Sequence, residues 1–423
     1  MANVRPFRAT YYQPGQADYA RVLTPPYDVI SPARQAEFYD ADPYNFIRID
    51  FGQSTNTDSP ANNVYTRAAA TLEQWLHEGV FTTDAQPAYY LHRQRFGHHG
   101  QSYTRQDLFV LCEATPFEAG DVLPHEKTLD GPKADRYALM TAAEAHLSPV
   151  FSVYQDPQQT LAKQIEQAIG EALFAFTDDE GIEHEVFAIA EPEAVTAISA
   201  FFEKRPLYIA DGHHRYETAV AFRRAHYPAV EAAGYLCMYL SSIQDPGLLV
   251  LPYHRLIRAR FEWPEQLLER AADYFQIEPV AQDHIESALA SLPAGQMGIV
   301  METAAGAWLL QRPVGLPEGF AADRAPAYRC LDVSVLHELL LYELAGFPAT
   351  KSKDPDYIQF SPEISVLRQT LHSEGGVAFY LNHTPVSALC EIAEQGECMP
   401  PKSTYFYPKV PSGLLFTRFN TAF

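Results

Sequence analysis

Two runs in which polar and apolar residues alternate, AYYLHRQRF and QSYTRQDLFVLCEA, flank the tip GHHG. A two-residue period on both sides of a glycine-bounded turn is the pattern of an antiparallel hairpin. Helical periodicity frames this hairpin. Tyr65, Ala68, Ala69, Leu72, Trp75 and Leu76 recur on one face of a predicted helix over 65–79, and Gly79 ends it. Ser31 followed by Pro32 has the form of a helix N-cap and first helical position. Strands and helices succeed one another in mixed order, which fits neither a doubly wound sheet nor a TIM barrel. The expected class is α+β, with mixed sheets and helices.

At 423 residues with 47% hydrophobic content, the chain exceeds what one core supports. The expected division is an N-terminal α+β domain over 1–260 and a C-terminal α+β domain over 261–423. Lys and Arg total 31 against 53 for Asp and Glu, a net charge of -22 that repels nucleic acid and anionic lipid. A small phosphorylated ligand is still compatible, because a local cation cluster acts within a Debye length. The opening MANVRPFRATYY lacks a signal-peptide core, and no later run is apolar enough to span a bilayer, so a cytoplasmic protein is expected. The five cysteines are odd in number, and none is spaced as CxxC, which disfavours structural disulfides and a zinc knuckle.

Three segments carry the residue types that chemistry needs. In IADGHHRYETA, a buried strand delivers the chain to Asp211, Gly212 makes the turn, and a helix begins. The N–H groups of such a start bind anions, and His213, His214 and Arg215 add donors there. The bland alternative makes Asp211 a helix cap. A metal role is weaker, because adjacent histidines on a helix do not share a face. In LPHEKTLDGPKADRY, the residues His125, Glu126, Lys127, Thr128, Lys133, Asp135 and Arg136 lie on an expected loop that Gly131 and Pro132 keep from regular helix. That mixture suits proton transfer and phosphate neutralisation, or simply a solvated loop. In MPPKSTYFYPK, Lys402, Ser403 and Thr404 offer a cation and two hydroxyls on a proline-braced support, without the glycine cradle of a P-loop; a structural edge is the alternative. Tyr27 and Asp28 in PPYDVIS could close a pocket, and His254 and Arg255 end a strand.

Taken in order, RPFRA, TPPYDVIS, HEKT with DRY, IADGHHRYETA, PYHRL, LDVSVLHE and MPPKSTYFYPK resemble the bacterial and archaeal DUF1015 family over almost the whole chain. The DGHHR box alone is similar to the strand–turn–helix of the ParB/sulfiredoxin-like fold, which includes free serine kinases. That likeness implies a nucleotide-binding element within a larger two-part architecture. It makes Asp211, His213, His214 and Arg215 the phosphate and phosphoryl-transfer residues, with Glu126 in the place of the fold's catalytic glutamate.

The function expected is a small-molecule kinase or phosphatase acting on a hydroxyl metabolite or its phosphoester, serine or phosphoserine first, with ATP or ADP and Mg²⁺ as cofactors. In it Glu126 or Asp211 would serve as base or metal ligand and His213 or His214 as proton donor. Gly212, Arg215, Lys127, Lys133, Arg136, Lys402, Ser403 and Thr404 would hold phosphate. Its rival is a non-catalytic nucleotide or metabolite sensor. A phosphate carries more charge than one helix start offsets, so the HEKT and KST segments are expected beside the DGHHR turn.

Overall fold

The computed structural model describes residues 2–126, 128, 130–264 and 266–423. It has the expected α+β composition. The chain packs as two compact units: 1–124, 128–248 and 408–423 form the first, and 125–127 with 249–407 the second. The division therefore falls at 248/249 instead of 260/261, and the C-terminal segment returns to the first unit. The run YLCMYLSSI joins the first unit's sheet and GLLVLPYHRLI supplies strands of the second, so the two are not a strand pair.

Among the described residues the first unit holds a nine-stranded sheet. Across it run Val122–Leu123, Leu207–Asp211, Val150–Tyr154, Tyr235–Ser242, Gln101–Glu113, Tyr89–His98, Glu183–Ile189 and Phe174–Thr177, with Val4–Arg5 paired to Gln101–Glu113. The predicted hairpin is its centre, and His99 and Gly100 at the tip take positive φ as a tight turn requires. One face packs Leu91, Leu108, Met238, Leu240 and Ile209 against Leu161, Ile165, Ile198 and Phe202 from two helices. Tyr216, Ala219 and Phe222 of helix His213–His226 join the same core. The opposite face is buried too, yet it carries His92, Gln94, Arg105, Asp107 and His184.

Local capping follows the sequence closely. Ser31 Oγ accepts from the Arg34 N–H, and helix Val64–His77 starts in a capping box between Asn63 and Thr66. Pro132 does not prevent helix as expected: Asp130–Ala143 is helical, with Gly131 and Pro132 in its first turn. A proline there forfeits no hydrogen bond, because first-turn N–H groups have no intrahelical acceptor. Lys133 and Arg136 therefore project from a helix and not from a loop.

The second unit is built on an antiparallel six-stranded sheet in the order Gln276–Val280, Gly306–Pro313, Gln296–Thr303, Val377–Leu381, His254–Ile257 and Ile358–Ser361. Asp332 does not cap the LDVSV helix. Its carboxylate accepts the Asn382 N–H, and the helix widens into a π-helix over Val335–Leu344.

Candidate functional site

The turn forms because strand Leu207–Asp211, buried through Ala210, ends at a residue that L side chains cannot easily replace. Gly212 sits at φ 96° and ψ 30°, the left-handed region, and is the N-cap of helix His213–His226. No side chain caps that helix at Gly212, so Asp211 is not an N-cap. A Cβ on Gly212 would lie 2.8 Å from Arg215 Nε, which shows how closely the guanidinium folds back over the turn. Gly212→Ala is therefore expected to cost about 1–2 kcal/mol, the penalty of left-handed backbone, and to displace Arg215. Urea denaturation of the variant measures this, and an unchanged midpoint would contradict it.

Asp211 is held between two cations. Lys409 Nζ donates to Oδ2 at 2.9 Å, and Arg215 Nη2 lies 3.8 Å from Oδ1. Arg215 also donates to the Pro149 carbonyl. Arg215 lines a small cavity of about 40 Å³ together with Arg136, Asp50, His146 and Ser148, the rest of its wall being mostly apolar. Arg136 Nη1 donates to Asp50 Oδ1 at 3.1 Å, Nε donates to Asp135 Oδ2 at 2.8 Å, and the guanidinium lies 4.0 Å from the Tyr27 ring centre. Ser148 Oγ donates to the other Asp50 oxygen at 2.9 Å. Burial raises the Tyr27 pKa, while the charges of Arg136 and Arg215 both pull it down, which places the phenol in the field of both. Within the first unit, then, two nearly buried arginines line one cavity, and one of them lies in the first turn of a helix.

The other expected residues are distributed differently. His213 is buried and His214 half-buried, and of the box only Arg215 is among the residues lining this cavity. Lys133 pairs with Glu217 at 2.9 Å, and these two residues line a separate groove of about 460 Å³ with Phe117, Tyr137 and Tyr216; Thr128 also donates to Glu217. Lys127 lies outside the described residues. In the second unit, Glu126 sits 3.7 Å from Lys353. Lys402 has φ 55° and its ammonium lies 5.6 Å from the Tyr253 ring centre. The fully buried Arg255 donates to the carbonyls of Pro401 and Lys402 and thereby fixes that turn. Ser403 is buried, with its hydroxyl given to Pro400 O at 2.6 Å, so it is spent on the turn's own structure; Thr404 is half-buried. The lysine that meets Asp211 is Lys409, seven residues further along the same motif.

Sequence reasoning missed Lys409, Asp50 and Ser148. The signal for Lys409 was present in YPK, but nothing local distinguishes it from Lys402. Among the described residues no group of three or more His, Cys, Asp or Glu is placed to hold a metal ion, and no helix is long and apolar enough to cross a membrane.

Comparison with solved structures finds low similarity. A conserved hypothetical protein from Pyrococcus furiosus aligns at TM-score 0.37 and 12% identity, over 74% of this chain and 97% of that one. A free serine kinase variant in complex with ADP aligns at 0.36 and 11%, over 70% and 87%. SbnI with a C-terminal truncation, from Staphylococcus aureus, aligns at 0.36 and 11%, over 72% and 85%. No curated protein matches the chain. The sequence pattern described as protein of unknown function, DUF1015, matches residues 4–334, and the chain belongs to that family.

Proposed function

We propose that the first unit binds the phosphate of a small phosphorylated ligand, a nucleotide first, and that the protein is a phosphotransferase acting on a small hydroxyl metabolite such as serine. One observation carries this reading: Arg136 and Arg215 both line one cavity of about 40 Å³, and Arg215 belongs to the first turn of helix His213–His226. Phosphoryl transfer needs charge neutralisation and alignment more than covalent help from the protein, and forked guanidiniums with helix N–H groups supply both. Asp50 and Asp211 are each turned to cations, an arrangement that does not fit a protein-held Mg²⁺. No step here is routed through one.

The rival reading is a sensor, which needs no base, and Glu126, the expected base, is paired with Lys353. A transfer assay with ATP or ADP and serine separates the two. Product formation supports the enzyme, and a ligand-induced rise in melting temperature without turnover supports the sensor.

Arg215→Lys is the decisive variant, because it keeps the charge and loses the fork. Ligand affinity is expected to fall about tenfold, the worth of one charge-assisted hydrogen bond. Arg215→Ala is less clean, because the side chain also braces Pro149 in the unliganded protein. Equal melting-temperature responses to ADP and to inorganic phosphate in wild type and Arg215→Lys would remove the site from consideration.

A further inference from the structure

Helices His213–His226 and Asp130–Ala143 together line a groove of about 460 Å³ that the phosphate reading does not use. Helical periodicity builds its walls. Tyr216 and Val220 follow each other at four-residue spacing on the first helix, as do Glu217 and Ala221, and Lys133 and Tyr137 do so on the second. The floor is aromatic. Tyr216 is fully buried, its hydroxyl donates to the Thr115 carbonyl at 2.7 Å, and the half-buried Phe117 ring stacks on it at 5.1 Å with the planes 12° apart. Ala134 and Ala221 line the same groove and are both exposed, so the two helices present only methyl groups at positions where larger side chains would close it.

Charge in this groove is balanced. Glu118 and Glu217 set two negative charges against Lys133 and Arg224, so the lining has no net charge in a chain that carries -22. Lys133 Nζ and Thr128 Oγ1 donate to Glu217 Oε2 at 2.9 and 2.8 Å, and the Lys133 and Glu217 side chains are 29% and 31% exposed. Both bonds end on one oxygen, and a carboxylate accepts on two. Lys133 is a point charge on a flexible stem, able to turn between two carboxylates.

A largely apolar lining with few polar groups, in a volume of about 300–1,000 Å³, is the form of a small-molecule site. Zero net charge disfavours a phosphate dianion, which Glu118 and Glu217 repel, and a simple cation, which Lys133 and Arg224 repel. It suits a ligand with an apolar body and one charge of each sign.

We propose that this groove binds an α-amino acid with an aromatic side chain. In such a molecule the ammonium and the carboxylate are separated by a single carbon, and the groove offers their complements as neighbours 2.9 Å apart. The ligand ammonium donates to Glu217 Oε1, its carboxylate accepts from Lys133, and its ring lies against Phe117 and Tyr137, where aromatic contact adds to apolar burial. The groove shares helix His213–His226 with Arg215 but no lining residue with the smaller cavity, so it is independent of the phosphate reading.

The test is isothermal titration calorimetry of the full chain with L-phenylalanine, with phenylpropanoate, which lacks the ammonium, and with phenylethylamine, which lacks the carboxylate. Phenylalanine should bind saturably and about tenfold more tightly than either analogue, since each analogue forfeits one charged contact. Glu217→Gln keeps the size and an oxygen for Thr128, and should reverse the order so that phenylpropanoate binds more tightly than phenylalanine. Ala221→Leu, an exposed helical position given a good helix former, should abolish binding and leave the melting temperature of the unliganded protein unchanged. Failure of phenylalanine to saturate, equal affinity for all three compounds, an unreversed order in Glu217→Gln, or undiminished binding in Ala221→Leu overturns the proposal. Arg215→Lys should bind phenylalanine as the wild type does; loss of binding there would place the ligand in the smaller cavity and overturn it equally.

Discussion

Asp107→Ala is expected to destabilise the first unit by about 3–5 kcal/mol, the largest single-residue effect in the molecule. Arg105 is 0% exposed, and truncating Asp107 leaves its guanidinium buried without its carboxylate. The Tyr239 hydroxyl and the Gln94 oxygen that also bond the guanidinium are neutral, and the Tyr239 and Phe151 rings add weak cation–π contacts at 5.8 and 5.5 Å, so none of these replaces the lost charge. Burial pushes the Asp107 pKa up against the pull of Arg105, so the pair is not a strong source of net stability. Replacing both residues by apolar ones of similar volume should cost less than losing Asp107 alone, the behaviour of buried ion pairs generally. Urea denaturation of the single and double variants checks both statements. A loss below about 1 kcal/mol for Asp107→Ala would mean that water reaches Arg105.

Buried histidines should remove stability as pH drops from about 6.5 toward 4. Burial depresses the pKa of His146 to about 4 and of His254 to about 3; His92 and His337 are also held well below the usual 6.5, by burial first. In that window the unfolded chain binds protons that the folded protein does not, so acidification favours unfolding. Four carboxylates oppose the trend, because burial also raises Asp107 and Glu180. Burial raises Asp332 to about 7 and Asp245 to about 6, so the folded state takes up those protons first and gains stability as pH falls. The histidine part of the slope is therefore read by comparison with a variant. His254→Asn should flatten it by about 3 kcal/mol between pH 6.5 and 4, at 1.36 kcal/mol for each pKa unit. The variant preserves structure, because asparagine places an oxygen where His254 Nδ1 accepts the Leu381 N–H. Denaturation curves of both proteins across this range decide the matter, and identical slopes would assign the titration elsewhere.

What the sequence by itself determined was local. The hairpin around GHHG, the caps at Ser31 and Asn63, and the strand–turn–helix at Asp211 and Gly212 all depend on interactions within a few residues, and the order of residue types records them. The Gly131–Pro132 helix start is the instructive miss, because a proline has opposite meanings in the first turn and in the interior, and only the surrounding backbone shows which applies. Tertiary structure decided everything that needs distant residues to meet. Alternation in the hairpin reads as one apolar and one wet face, yet both faces are covered, and His92, Gln94, Arg105 and Asp107 become a buried network. Arg136 finds Asp50 and Tyr27, Asp211 finds Lys409 instead of Lys402, and the C-terminal segment rejoins the first unit. These pairings are separated by up to 198 residues. Spacing carries no information at that range, because it is burial of the whole core that brings such residues together and the cost of leaving a buried charge unpaired that selects the partner.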